Sequence, residues 1–163
     1  MTRRVVITVG CPGSGKTTWA RSQDPAQWLT LSLDDFRIAM FGSKDVYWNK
    51  VVPVHGNPVR SFVWMIYARA LDEALLRWPG NIILCNTALD EKTSVRDFPI
   101  LQKHGIVPEL RIWKTDLVTL AERNNSRPAE EHISRSYLAA CYDAMHADDA
   151  WWRTSPLEKE FVK

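Results

Sequence analysis

A short segment near the start of the chain has the residue types and spacing of a phosphate-binding loop. Residues 10–18 read GCPGSGKTT, which fits Gly, four residues, Gly, Lys and then Ser or Thr. In such loops backbone N–H groups surround a β-phosphate, the lysine reaches the β- and γ-phosphates, and the hydroxyl ligates Mg²⁺. The segment therefore predicts a nucleoside triphosphate site, with Thr17 as the magnesium ligand. Its binding residues would be Gly13, Ser14, Gly15, Lys16, Thr17 and Thr18.

A pair of carboxylates follows the second predicted strand, in the sequence LDDFR. The strand ends of a parallel sheet lie near bound phosphates, so Asp34 could take the proton of an acceptor hydroxyl during phosphoryl transfer. Aspartate is also favoured at helix N-caps, and one member of the pair Asp34 and Asp35 could cap while the other faces the site. Arg37 follows about one turn later, either as a phosphate or carboxylate ligand or as a solvated surface arginine.

Two further segments extend this candidate site. Asn86 follows the third predicted strand and could exchange hydrogen bonds with a substrate, but it cannot act as a base; a simple turn residue is the alternative. Arg123 and Arg127 are four residues apart, hence on one helical face. Two such guanidinium groups could neutralise a transferring phosphoryl group, an effect worth roughly 10³–10⁵ in rate, or could form an exposed basic helix end. Pro128 and the loosely patterned residues 129–133 favour a movable lid.

Together these stretches resemble the kinase domain of the phage polynucleotide 5′-hydroxyl kinase family. The resemblance rests on GCPGSGKTTWA, DDFR, NTAL, LAERNNSR and CYDAM, in this order between residues 5 and 145. It implies that Lys16 and Thr17 serve ATP and its Mg²⁺. It also implies that Asp34 is the general base on the acceptor hydroxyl and that Arg37 engages the acceptor's phosphate.

The same resemblance implies that Arg123 and Arg127 clamp the ATP phosphates.

The chain departs from the family in three respects. The family has an Asp where this chain has Asn86. The larger family member carries a phosphatase domain with an Asp-x-Asp-Gly-Thr motif, and this chain stops before it, so no end-healing phosphatase is expected. Residues 43–78, where the acceptor would lie, show no match.

Residues 43–78 nevertheless contain side chains that suit nucleic acid. The aromatic and basic residues there are Tyr47, Trp48, His55, Arg60, Trp64 and Arg69. Arg60 and Trp64 are predicted on the helix face opposite the apolar stripe, where they could combine a phosphate contact with base stacking. A second packing surface is the alternative for Trp64.

The predicted activity is ATP-dependent transfer of the γ-phosphate to a nucleic-acid hydroxyl, by default a 5′-OH end, with DNA favoured over RNA. One alternative is a DNA base kinase acting on a hydroxymethylated base such as 5-hydroxymethyluracil, which requires an extruded base or a single strand. Another is a nucleotide or small-molecule kinase. From a different class, the chain could be a nucleotide-gated binding module, although such a module has no need of a carboxylate at Asp34.

The elements that must position these residues alternate between strands and helices. Strands are predicted at residues 4–9, 28–33, 81–85 and 110–113, and helices at 16–22, 36–41, 59–78, 91–104, 117–125 and 134–146, with Pro99 interrupting one of them. This order predicts a P-loop kinase-type three-layer αβα fold with a parallel sheet of four to five strands and an arginine-bearing lid. Residues 43–58 are expected to be irregular, and no element is predicted after Asp148.

Composition adds broad limits. The 163 residues, 45% hydrophobic and 25% charged, predict a single P-loop kinase domain over residues 1–163. A net charge of +2 lacks the basic excess of many nucleic-acid binders, so such binding would need a local basic patch. No apolar run approaches the ~20 residues of a membrane span. The scattered Cys11, Cys85 and Cys141 fit a reducing compartment, so the cytoplasm is expected (the host's, if phage-encoded). The oligomeric state stays open.

Overall fold

A computed structural model describes residues 3–162 and contains a parallel sheet of five strands. They are β1 (Val5–Val9), β2 (Trp28–Leu31), β3 (Asn81–Leu84), β4 (Glu109–Trp113) and β5 (Lys159–Val162), in the spatial order β2-β3-β1-β4-β5. Every residue of the central β1 is buried, as expected for a β-branched strand covered on both faces. The four predicted strands are confirmed, and their carboxyl ends share one edge of the sheet.

Helices connect and flank the strands. They are α1 (Lys16–Arg21), α2 (Leu33–Phe41), α3 (Lys44–Val46), α4 (Val52–Arg77), α5 (Glu91–Ser94), α6 (Phe98–Lys103), α7 (Leu117–Asn125), α8 (Arg135–His146) and α9 (Trp151–Thr154). A π-helical turn, Tyr47–Val51, joins α3 to α4, and 3-10 turns occur at Val95–Asp97 and Ala129–Glu131. Of the helices within residues 3–162, not one combines the length and hydrophobicity that a membrane span requires.

The long helix α4 packs on the sheet through side chains spaced four residues apart. Val63, Tyr67, Leu71 and Leu75 are buried, and the last three join the strand residues in the main core. Burying such a side chain fully contributes about 1.5–3 kcal/mol. This apolar stripe fixes α4, and with it the acceptor side of the predicted site, against the sheet.

The prediction of an irregular segment at residues 43–58 was wrong, because this stretch is mostly helical. The Ser43 hydroxyl accepts a hydrogen bond from Val46 N (3.1 Å) and caps α3. Gly56 then departs from helical geometry, with φ 59° and ψ −139°, and Pro58 lacks a backbone donor. Gly56 therefore separates a short helical segment at the start of α4 from the long segment that carries the apolar stripe.

Two other predictions changed in detail. The helix predicted at residues 91–104 divides into α5, a 3-10 turn and α6, with Pro99 in the first turn of α6, which confirms the interruption. No element was predicted for the tail after Asp148, and it forms α9 and the edge strand β5, the fifth strand of the predicted four to five. Trp151 and Trp152 of α9 are buried, and Trp151 Nε1 donates to Ala88 O (2.8 Å). The residues of β5 are exposed or half-buried, so the strand leaves no apolar pattern.

Candidate active site

The loop between β1 and α1 surrounds the amine of its own lysine. Lys16 Nζ donates to Gly10 O and Cys11 O, both at 2.7 Å, and to Ser14 Oγ at 3.2 Å. Burial lowers the pKa of Lys16 to about 8, since a desolvated cation is disfavoured. Phosphate oxygens next to this amine would stabilise its charged form. The loop therefore fits the phosphates of a nucleotide.

Two arginines from the predicted lid converge on Gly13 of this loop. Gly13 has φ 85°, a conformation that favours glycine. Arg123 Nη1 donates to Gly13 O (3.0 Å), and a Cβ added at Gly13 would lie 3.6 Å from Arg127 Nη2. The Asn124 side chain exchanges two hydrogen bonds with the backbone of Ile133, at 2.9 and 3.0 Å. The end of α7 is thereby tied to the segment that follows it, and both arginines lie beside the loop.

The start of α1 offers an exposed hydroxyl for a magnesium ion. Thr17 and Thr18 are exposed, and Thr17 Oγ1 lies 3.9 Å from Cys85 Sγ. Among residues 3–162, no group of three or more His, Cys, Asp or Glu side chains could hold a metal. Protein-bound Mg²⁺ commonly keeps several waters and binds through one or two protein groups plus substrate phosphates. The residues present fit a magnesium ion that arrives with the nucleotide.

Asp34 lies in the first turn of α2 with its carboxylate between two cations. Arg37 Nη1 donates to Asp34 Oδ1 (2.6 Å), and Lys44 Nζ lies 3.7 Å from Oδ2. The Asp34 side chain is 46% exposed, so it is accessible to a substrate. The N-cap of α2 is Ser32 and neither of the two aspartates: Ser32 Oγ accepts a hydrogen bond from Asp34 N (3.2 Å). Asp35 is exposed on the same turn.

The Asn86 side chain is engaged by the protein itself. Its Oδ1 accepts from Leu33 N (3.0 Å), and its Nδ2 donates to the Tyr67 hydroxyl (3.2 Å), which in turn donates to Asp97 Oδ2 (3.2 Å). Burial raises the pKa of Asp97 to about 6. These bonds join the end of β3 to the first residue of α2, the helix that carries Asp34. Sequence reasoning missed this network because its members are far apart in the chain.

Arg60 and Trp64, both predicted as substrate contacts, take part in separate pairs. Arg60 Cζ lies 5.5 Å from the ring centroid of Trp48, and Arg37 Cζ lies 4.8 Å from the same centroid. Trp64 is half-buried against the main core, with Arg96 Cζ at 5.5 Å from its ring. The structure thus groups Arg60 with Arg37 around Trp48. The basic and aromatic composition of residues 43–78 was the signal that pointed to Trp48.

The lid also lies close to the acceptor side. Its 3-10 turn Ala129–Glu131 contacts α3, the helix that begins with Lys44. The candidate site is therefore bordered by the phosphate loop, by the start of α2 and by the lid. Opening and closing of the lid stays a prediction.

Comparison with known proteins places the chain in a family. Residues 5–148 match the AAA_33 family model, an AAA domain. A chain of the Pnkp1/Rnl/Hen1 RNA repair complex superposes with a TM-score of 0.69 at 19% identity, over 88% of this chain and 44% of that chain. The protein thus spans less than half the length of that relative.

Two further solved structures are similar along most of their length. A candidate kinase from Chloroflexus aurantiacus has a TM-score of 0.65 at 21% identity, over 99% of this chain and 88% of that chain. Shikimate kinase from Acinetobacter baumannii, in complex with shikimate, has a TM-score of 0.57 at 14% identity, over 99% and 83% of the two chains. At these identities the likeness shows the fold, which confirms the predicted fold class. The protein belongs to the AAA domain family and has the fold of a P-loop kinase.

Proposed function

We propose that the protein is an ATP-dependent kinase that transfers the γ-phosphate to a nucleic-acid hydroxyl, by default the 5′-OH end of DNA or RNA. The main support is the position of Asp34: a half-exposed carboxylate, held at 2.6 Å by Arg37, in the first turn after a strand of the sheet that carries the phosphate loop. A protein that only binds nucleotide does not need an accessible carboxylate at the acceptor position. P-loop kinases, by contrast, need a group that orients or deprotonates the acceptor.

Each residue of the site has a role in this proposal. Lys16 and the loop N–H groups bind the β- and γ-phosphates. The Thr17 hydroxyl would be a ligand of a magnesium ion whose charge offsets that of the phosphates. Arg123 and Arg127 stabilise the charge on the transferring phosphoryl group. Asp34 accepts the proton of the acceptor hydroxyl. The hydroxyl oxygen bonds to the γ-phosphorus, and the bond between the γ-phosphorus and the terminal phosphate oxygen of ADP breaks.

A nucleic-acid acceptor is supported by the local charge around Asp34. Arg37, Lys44 and Arg60 place positive groups on this side of the site, although the chain has a net charge of only +2. Phosphate contacts dominate binding to nucleic acids. The likeness to a chain of an RNA repair complex agrees with an acceptor of this class. DNA is our first choice and RNA the second.

Two other acceptors have specific support. The exposed part of the Trp48 ring, a residue 40% exposed, would suit a base taken out of the stack, as a kinase of hydroxymethylated DNA bases requires. The fold shared with shikimate kinase is also compatible with a small-molecule acceptor. Both alternatives keep the same phosphoryl-transfer chemistry.

An acceptor panel tests the proposal. The protein is incubated with γ-labelled ATP and Mg²⁺ together with 5′-OH DNA or RNA oligonucleotides, 5′-phosphorylated duplexes with or without 5-hydroxymethyluracil, or free nucleosides and shikimate. We expect label on the 5′-OH ends. Label only on the modified duplex, or only on a small molecule, would contradict the default acceptor. Absence of label from every acceptor would contradict kinase activity on these classes.

A further inference from the structure

The acceptor side carries a cation–π triad made of Arg37, Trp48 and Arg60. Trp48 lies in the π-helical turn between α3 and α4, and the Cζ atoms of Arg37 and Arg60 lie 4.8 and 5.5 Å from its ring centroid. Arg37 also donates to Asp34 at 2.6 Å. A continuous series of contacts therefore leads from the proposed base, through Arg37 and Trp48, to Arg60.

Arg60 differs from two other arginines of α4 in its ion pairing. Arg69 and Arg77 each pair with Glu73, at 2.9 and 2.6 Å. In the described part of the chain no carboxylate forms an ion pair with Arg60, which is exposed. A guanidinium that is held beside a ring and has no carboxylate partner is available to an external anion. Phosphate matches its planar donors well.

We propose, on the basis of the proposed function, that the triad binds two consecutive phosphates of the acceptor strand, with Arg60 as the second phosphate subsite. Arg37, which touches Asp34, contacts the phosphate next to the reacting nucleotide. Arg60 contacts the phosphate that follows it. The preferred acceptor is then a strand with at least two phosphates rather than a mononucleotide or a small molecule.

Trp48 acts in this proposal as a positioning residue. An arginine side chain loses rotamer entropy when it is fixed on a phosphate, and a ring that already holds the guanidinium reduces this loss. Arg37 is held further by the Tyr47 ring, at 5.2 Å from its centroid. Because two guanidinium groups lie against Trp48, we assign the ring to arginine positioning; base stacking on it belongs to the alternative acceptor, a hydroxymethylated base.

Steady-state kinetics with acceptors of different length test the subsite. A nucleoside 3′-monophosphate offers one phosphate beyond the reacting 5′-OH, and a trinucleotide offers two. For Arg60→Ala we expect kcat/KM on the trinucleotide to fall about tenfold, the size of one charge-assisted contact, mainly through KM. The negative slope of log kcat/KM against log salt concentration should also become less steep, by about 0.7. Arg77→Ala, which removes a charge from the same helix, should change neither quantity.

A second pair of variants tests the positioning role of the ring. Trp48→Ala should raise KM for both acceptors, because both guanidinium groups lose their support, while kcat changes little. Trp48→Phe keeps an aromatic face and should restore most of the affinity. Circular dichroism of each variant checks that the fold is kept. A Trp48→Ala protein that is folded and has the wild-type KM for both acceptors would contradict this role.

Binding without ATP separates the subsite from the proposed function. The probe is a fluorescein-labelled 5′-OH oligonucleotide, followed by anisotropy. Salt-sensitive binding that Arg60→Ala weakens, without phosphoryl transfer, would support the subsite and contradict the kinase activity. Transfer to 5′-OH ends that Arg60→Ala leaves unchanged on the trinucleotide would overturn the subsite and leave the activity standing. Absence of both binding and transfer would overturn both.

Discussion

Asn86 Oδ1 accepts a hydrogen bond from Leu33 N at 3.0 Å, and this bond joins the ends of the neighbouring strands β3 and β2. Leu33 is the first residue of α2, and Asp34 is the second. The amide of Asn86 is shared between this contact and the hydroxyl of Tyr67. The position of the proposed base therefore depends on a residue that itself has no need to touch the substrate.

Replacing Asn86 should misplace Asp34. Asn86→Ala leaves the Leu33 N–H and the Tyr67 hydroxyl without this partner, which should cost about 1–3 kcal/mol of stability and lower kcat about tenfold or more. Asn86→Asp keeps the acceptor for Leu33 N and should retain more activity than the alanine variant. Urea unfolding and initial rates at saturating ATP measure the two effects. Full kcat in a folded Asn86→Ala protein would refute this role.

Asp97 should make stability depend on pH in the acid range. Its folded-state pKa of about 6 lies above the ordinary value of about 3.9, so between pH 4 and 6 the folded state binds more protons than the unfolded state. The free energy of unfolding contributed by Asp97 therefore falls as pH rises through this window. The fall should be at most about 3 kcal/mol.

The measurement is the difference in unfolding free energy between the wild type and Asp97→Asn, taken from pH 4 to pH 7. Other carboxylates cancel in this difference. We expect it to decline up to about pH 6 and to level off above. A difference that stays constant over the whole range would show that the Asp97 pKa is not raised.

ATP binding should take up a proton at alkaline pH. The pKa of Lys16 is about 8 before nucleotide binds, and phosphate oxygens favour its protonated form. Affinity for ATP should therefore fall as pH rises above 8, by up to about tenfold per pH unit. Titration calorimetry at pH 8.5 in buffers of different ionisation enthalpy measures the proton uptake. Lys16→Met should bind ATP weakly and show no uptake, whereas equal uptake in both proteins would rule Lys16 out as its source.

The lid arginines should act mainly on the rate of transfer. Arg127→Ala and Arg123→Ala should each lower kcat, by about 10³-fold or more if they act as arginine fingers. Arg123→Ala should also lower the affinity for ATP, because it removes the contact that Arg123 makes with Gly13 O of the phosphate loop. Arg135→Ala changes an exposed arginine at the start of α8 and serves as the control. If all three variants retain similar activity, the two arginines do not act on the phosphates.

The predictions that were confirmed rest on sequence patterns between residues close together in the chain. The phosphate loop after β1, the buried strands and the apolar stripe of α4 are each encoded by residues a few positions apart. The edge strand β5 was missed because its half-exposed residues have no apolar run, and its pairing with β4 is a long-range contact. Gly56 and Pro58 predict a loop, whereas helical geometry continues up to Gly56 and resumes after it.

The candidate site shows the same division. Of the residues named from motifs, Lys16 lies within the phosphate loop and Asp34 in the first turn of α2, and their catalytic roles remain predictions. The supports of Asp34 could not be predicted, because Asn86, Tyr67 and Asp97 meet only after β3, α4 and the turn before α6 have packed together. The role proposed for Trp48 could not be predicted either, because it depends on contacts with Arg37 and Arg60, which lie on different helices.

The most direct test of the account is the rate of phosphoryl transfer from γ-labelled ATP to a 5′-OH oligonucleotide in a single turnover by Asp34→Asn. The variant keeps the shape of the side chain and removes the base. We predict unchanged ATP affinity and a transfer rate lowered by about 10²–10⁴-fold, whereas the neighbouring Asp35→Asn should transfer at nearly the wild-type rate. Wild-type transfer by Asp34→Asn would contradict the assignment of Asp34 as the base and, with it, the central claim.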